Sequence, residues 1–496
     1  MRITLAGYNL DADTIELVKQ LIDLHRQGAD PSTINELLDK LAEEPLTPET
    51  ISAAYARISR SDKGVRDLRR DARSSVLRAR QSNERIVFGL GHASVSEHAV
   101  FNIDVTDASR LALEELESHR LASYTESSQR YISMTGDFVM PQELIDCGQQ
   151  GPFRVLCERL FQGYRDLAEK LELFHKELPD RDRQGRARED ARYLLPLACR
   201  GQVGMTLNAR NAEWVIQQST HSSLAEVRDL GSQMAKILKS LTPSLIKYTE
   251  PTALWKESNE EIFAAFNSTG SSTATDAEVS LINEPTQAER IISAALGLRK
   301  GGLSIESLLE SVDRMGEDER MKLLSRAHMY LTQHSPVRRE LELASFTFGI
   351  TLSASAFAQL KRHRIATIIS QPYDPNLGVT IPPAVLESGL ESEFRSFTEY
   401  AERGYHELHK LLPSNLSSVA QYSLTNAHRR RVIFHANARE MIHLSRLRED
   451  SHAQWDIRQL SGKMAALAKK SCPSLMFLAA GKDEFETVRA ELESRK

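Results

Sequence analysis

Apolar residues recur at helical spacing over several stretches of this chain and alternate with polar ones in a few short runs. That mixture predicts an α+β protein. Leu111, Leu113, Leu116 and Leu121 mark a helix over 107–122, with Asp107 as its cap. Phe357, Leu360 and Ile365 mark another over 353–366, and further helices are predicted over 188–197, 209–218 and 225–241. Short β-prone runs at 3–6, 100–105 and 345–352 predict a modest mixed or antiparallel sheet packed with long helices. Residues 12–48 read as added helices whose apolar stripe (Ile15, Leu17, Leu21, Leu24) serves packing or assembly.

The pattern occurs twice. SHRLA at 118–122 returns as RHRIA at 362–366, TLNAR at 206–210 as HANAR at 435–439, and KSLTPSLI at 239–246 as KSCPSLM at 470–476. Each copy opens with a short strand, at 2–6 and at 278–282. Landmarks repeating in one order imply two homologous domains in tandem. Residues 267–277 (NSTGSSTATDA) are small and polar, with the composition of a flexible linker. The expected division is therefore 1–250, a linker over 251–277, and 278–496.

Composition agrees with two domains and narrows the functions. Single cores stop growing beyond about 250–300 residues, and this chain has 496 with 41% hydrophobic content. A net charge of −5 gives no global attraction to nucleic acid or anionic membrane, so an anion site must be local. Four dispersed cysteines argue against a zinc site or disulfide framework and suit a reducing compartment. With no apolar span and no leader pattern at the start, the expected location is the cytoplasm. The arginines of 66–80 alternate with Asp67 and Asp71 and read as an exposed helix face. The run Arg429–Arg431 reads equally as a solvated run or as a site for folate or NADPH anions.

Candidate chemistry concentrates in 118–131, SHRLASYTESSQRY. His119 and Arg120 end a predicted helix, and a polar loop follows with Ser123, Glu126, Ser128, Arg130 and Tyr131. Arginine forks and loop amides near a helix end suit a phosphate and a planar heterocycle. A solvated helix end with a capped turn would use the same residue types. The longer pattern resembles the signature of flavin-dependent thymidylate synthases: Arg-His-Arg, a serine three residues on, a glutamate, a second serine, then Arg-Tyr. Ser118 replaces the leading arginine and Thr125 the usual asparagine. Upstream, GHASVSEHAVF resembles the family's segment at Gly91, His92, Ser94, Glu97 and His98, and downstream 195–210 resembles it at Pro196, Asn208 and Arg210.

The second copy keeps different parts. QLKRHRIAT retains Gln359, Arg362, His363 and Arg364, but its following loop has lost the serine–arginine pattern. Residues 437–459 resemble the family's Asn-x-Arg … Arg-x-Asp-Ser-His-Ala-Gln-Trp stretch at Asn437, Arg439, Arg448, Ser451, His452, Gln454 and Trp455, whereas the first copy has Ser219 in the arginine's place. Such complementary losses suit a composite site shared by the halves.

The resemblance implies reductive methylation of dUMP with methylenetetrahydrofolate and NADPH through FAD. It implies Arg448 as the catalytic guanidinium, with Ser128 beside it as positioner or nucleophile. Glu126, Ser128, Arg130, Arg192, Gln359, Arg362 and Arg448 would bind the nucleotide. Ser94, His119, Arg120, Asn208, Arg210, His363, Arg364, Asn437 and Arg439 would hold FAD. No metal is expected, and the implied assembly is a homodimer of the fused chain, mimicking a tetramer. The alternatives are an inactive nucleotide- or flavin-binding paralogue, or a flavin enzyme methylating another uracil-containing substrate.

Overall fold

The computed structural model describes residues 1–43, 46–266 and 277–494. Each half carries one four-stranded antiparallel sheet. In the first, β1 (Arg2–Tyr8), β2 (Val100–Ser109), β4 (Arg200–Asn208) and β3 (Ser123–Glu126) lie in that order. In the second, β5 (Val279–Asn283), β6 (Ser345–Ser353), β8 (Arg429–Asn437) and β7 (Thr367–Ser370) repeat it. Alternation sets the faces: Phe101, Ile103 and Val105 point into the core with Val203, Met205 and Leu207, while Asn102 and Asp104 stay exposed. Helices Ala209–Thr220 and Ala225–Leu241 cover the first sheet, and Ala438–Arg448 and Trp455–Ser471 the second.

Several predicted elements are corrected. The helix expected over 107–122 spans only Arg110–Leu116, because β2 continues to Ser109 through a bulge in which Asp107 takes φ 56°. Ser109, not Asp107, is the cap, its Oγ accepting from the Ala112 amide at 2.9 Å. The chain then turns into β3, which leaves Leu121 75% exposed; its counterpart Ile365, beyond the helix Ala354–Leu360, is 69% exposed. The helix expected over 188–197 runs instead from Asp180 to Ala191, followed by a 3₁₀ turn, Arg192–Leu194. Added helices do occupy Ala12–Arg26 and Pro31–Glu43. Within the stretch assigned to the linker, Ala253–Phe266 is helical, and most of NSTGSSTATDA lies outside the described residues. Of the arginine-rich segment, Arg73 is buried against Asp11 at 2.6 Å and Asp13 at 3.0 Å, pinning the added helix rather than facing solvent.

The halves meet about an approximate two-fold axis. The Leu197 amide donates to Leu424 O at 2.8 Å and the Asn426 amide to Leu195 O at 3.0 Å, pairing Pro196 with its counterpart Thr425. Tyr193 of the first half donates to Asp456 of the second at 2.8 Å, and Tyr422 returns the contact to Glu226 at 2.7 Å. Helices Gln150–Phe174 and Glu391–Leu411, neither predicted from sequence, cross with Gly163 against Phe397 and Gly404 against Leu156. Two apolar clusters draw on both halves, so the interface is core, not a loose domain contact.

Candidate functional site

The loop after β3 enters the interface. Ser128 Oγ accepts from the Arg130 amide at 3.2 Å, forming a turn that sends the Arg130 guanidinium toward the second half. Arg130 pairs with Glu189 and donates to His452 O at 3.3 Å across the interface. Opposite, Gln359 and Arg362 come from the helix Ala354–Leu360 and the turn after it, and Arg448 ends the helix Ala438–Arg448. All the residues predicted to bind the nucleotide (Glu126, Ser128, Arg130, Arg192, Gln359, Arg362 and Arg448) line one cavity of about 280 Å³. Sequence reasoning missed Arg110, Gln129 and Asn426 on the same wall. Only Arg110 left a signal, the i,i+4 pair with Glu114, which bonds at 3.1 Å.

The cavity is cationic. Arg110, Arg130, Arg192, Arg362 and Arg448 line it with a single carboxylate, Glu126. Glu126 takes Arg110 Nη1 at 2.7 Å and Arg362 Nη2 at 3.1 Å, with Lys361 Nζ at 3.6 Å. Burial opposes its ionisation, but Lys361, Arg110 and Arg362 outweigh that and hold the carboxyl well below its usual range. Glu126 is thus a fixed anion that ties the loop to the second half. Arg192 is 5% exposed, and among the described residues its Nη2 has no hydrogen-bond partner. Burial pushes its pKa down, aided by Arg130 and Arg110. A buried guanidinium with an unused donor, among like charges, is arranged for an anion that enters.

Arg448 is held from behind. Its Nε donates to His363 Nε2 at 3.1 Å and its Nη2 to Gln359 O at 3.2 Å. His363 Nδ1 lies 3.0 Å from Glu440, so the neutral ring carries its proton there and leaves Nε2 to accept. Burial lowers the His363 pKa, which favours that neutral form. The same cause, with Arg362 and Arg130, pushes Arg448 down to about 10, still charged at neutral pH. Gln359 Nε2 reaches Gln454 at 3.3 Å, and Gln454 bonds Tyr193 OH at 2.8 Å, linking this wall to the two-fold contact.

The residues predicted to hold FAD divide among different places. Arg120, Asn208, Arg210, His363 and Arg364 line a second, larger cleft of about 1360 Å³, which meets the first cavity at Arg362 and Arg448. Asn437 and Arg439 line an adjoining hollow of about 520 Å³ that shares Ile365, Glu440 and His443 with the cleft. Ser94 and His119 line neither. Burial pushes the His119 imidazole down to about 4. Asn208 and Asn437 both cap the following helix, accepting at 2.9 Å from the amides of Asn211 and Glu440. Arg210 and Arg439 each meet a glutamate at 2.6 Å, Glu97 and Glu342. Of the run Arg429–Arg431, Arg430 is neither solvated nor ligand-facing; it is buried over Tyr373.

One buried acid beside the site yields a stability prediction. Asp190 accepts from Trp455 Nε1 at 2.8 Å, yet burial raises its pKa to about 7. Its folded value lies above the unfolded one, so ionisation destabilises the fold; the penalty is complete above pH 7 and fades as pH falls toward 4. Asp190→Asn keeps an acceptor for Trp455 and should be more stable than the native chain at pH 8. That advantage should narrow by about 2 kcal/mol by pH 5 in urea titrations.

Fold and site together define a duplicated α+β protein with an arginine-lined cavity shared by its two halves. A family model described as thymidylate synthase complementing protein matches residues 40–244 and again 280–474, so the chain belongs to that family and carries its domain twice. A "UPF0159 protein" of Chlamydia muridarum (strain MoPn / Nigg) is 24% identical over 465 residues, covering 84% of this chain and 87% of that protein. Another from Thermoplasma acidophilum is 23% identical over 472 residues, covering 85% and 93%. A "Flavin-dependent thymidylate synthase" of Clostridium tetani is 28% identical over 222 residues, 43% of this chain and 87% of its own length. The long relatives thus match the tandem chain, and the short one about half of it.

Proposed function

We propose that this protein is an enzyme that reductively methylates dUMP to dTMP, with methylenetetrahydrofolate as carbon donor and NADPH as reductant. The observation that carries this reading is the convergence of Ser128 and Arg130 from one half with Arg362 and Arg448 from the other on one cavity. The family membership and the names of the short relatives agree with it.

The 1360 Å³ cleft has room for a flavin dinucleotide: it exceeds the 300–1,000 Å³ of common small-ligand pockets, and Arg120 and Arg364 offer guanidiniums for a diphosphate. Bound there, FAD would supply hydride transfer between NADPH and the one-carbon unit. The chain's own residues bind and polarise. Arg130, Arg192 and Arg362 neutralise the nucleotide phosphate. Arg448, aimed by His363 and Gln359, stabilises the negative charge that develops on the uracil imide as carbon 5 becomes nucleophilic. Ser128 positions: its oxygen accepts from the Arg130 amide in the turn, and among the described residues no base takes its hydroxyl proton. Glu440 acts on Arg448 through His363. Glu440→Gln should lower kcat about tenfold with little change in KM, as steady-state kinetics would reveal.

Tritium release from dUMP labelled at carbon 5, dependent on NADPH and methylenetetrahydrofolate, is the decisive assay. Release from a different uracil-containing compound instead would reassign the substrate, and no release from any would favour an inactive binding protein. The replacements that suggest inactivity, at Ser118, at Ser219 and in the loop 368–375, do not line the cavity. The proposed setting is cytoplasmic, as a homodimer of the fused chain; full activity in a strict monomer would count against the dimer.

A further inference from the structure

A duplicated chain with an approximate two-fold axis between its halves generates this cavity twice, once on each side of the axis. The copies are related by the repeats: Ser118 corresponds to Arg362, Ser219 to Arg448, and the loop 370–374 to 126–130. On the second side every arginine of the first cavity is replaced. Ala354 stands for Arg110, Asp374 for Arg130 and Gln421 for Arg192, with the two serines completing the set. Glu114 and Glu115 stand there for Ala358 and Gln359. The charge that would receive a phosphate on one side is reversed on the other.

The space is also filled. Tyr373, the counterpart of Gln129, is 1% exposed, and its hydroxyl donates to Glu114 at 2.8 Å. Its amide donates to Gln421 at 2.8 Å, the residue in Arg192's place. The Arg430 guanidinium carbon stands over the Tyr373 ring at 3.9 Å from its centroid and over Phe357 at 4.7 Å, and Nη1 reaches Glu114 at 3.3 Å. Glu114 spans the axis contact, since it also takes Arg110 of the first cavity at 3.1 Å. Among the described residues Arg430 Nε has no hydrogen-bond partner, but the guanidinium is stacked between two rings and tied to Glu114, so ring, guanidinium and carboxylate occupy the volume a ligand would need.

We infer that this chain binds one nucleotide, in the Arg130–Arg448 cavity, and that its two-fold counterpart has become a structural key locking the halves together. The inference rests on the proposed nucleotide reading of the first cavity and extends it to a stoichiometry. It also accounts for Ser118 and Ser219: both losses fall on the sealed side, where no ligand needs them.

Equilibrium dialysis of the flavin-loaded protein against radiolabelled dUMP should saturate at one nucleotide per chain. Two per chain would overturn the inference. A second measurement is independent of dUMP: Tyr373→Ala in the full chain should lower Tm by about 3–5 °C, as removal of a packed core ring does in a chain of this length. An unchanged Tm would mean that Tyr373 is a dispensable cover over a usable site, and the structural key would be refuted. A chain that binds no dUMP yet shows the Tm loss would instead refute the proposed function and leave the key standing.

Discussion

Arg448→Ala should lower kcat by about 10²–10³-fold while the protein still folds and still binds dUMP. The size follows from the arrangement. Arg448 is charged at neutral pH, its Nε and Nη2 are engaged by His363 and Gln359, and Nη1 has no protein partner among the described residues. A guanidinium fixed on two sides is preorganised, so its remaining donor acts on charge that develops in the transition state without a reorganisation cost. The loss should therefore appear in kcat more than in KM. Arg448→Lys should recover little, since an ammonium on a flexible stem cannot make the Nε contact and face the ligand together. Stopped-flow single turnovers with labelled dUMP separate the chemical step from binding. A variant at full rate would remove Arg448 from the mechanism.

Arg192→Met should act in two opposite directions. The side chain is buried, close in volume to methionine, and carries an Nη2 with no hydrogen-bond partner among the described residues. Without ligand, burying an unbonded donor on a charged group costs stability, so the substituted chain should melt at a higher temperature. With dUMP the same donor meets the phosphate, and its removal should raise Kd about 10–100-fold, the worth of a charge-assisted bond in a buried site. Calorimetry and a thermal scan on one preparation check both signs. A variant that is destabilised and binds normally would make Arg192 a structural residue.

Much of the site was legible because the chain is a repeat. Motif halves missing from one copy and kept in the other pointed to a shared cavity, and the residues predicted to bind the nucleotide line one cavity. The cofactor set was less legible. Asn208 and Asn437 do double service as helix caps, Arg210 and Arg439 are engaged by Glu97 and Glu342, and Ser94 lies outside the cleft. A linear motif records which residues recur, not which of their atoms remain available.

The misread elements have local causes. Asp107 looked like a cap because it precedes an apolar helix, but the bulge that gives it a positive φ moves the true cap to Ser109. Leu121 and Ile365 continue the helical spacing past the turn, so periodicity alone could not reveal that the helix had ended. The role of Arg430 was hidden because its partner Glu114 lies 316 residues away and its neighbour Tyr373 replaces a polar residue of the other copy. Long-range compensation of that kind leaves no mark at either position separately.

In the proposed site, the loop and guanidiniums from the two halves of one chain hold one substrate. Co-expression of an Arg130→Ala chain with an Arg448→Ala chain tests it, with tritium release from carbon-5-labelled dUMP as the readout. If the site is built within a chain, every chain in the mixture lacks one part, and release should stay at the level of either variant alone. Recovery toward a quarter of the native rate would show instead that the site forms between chains.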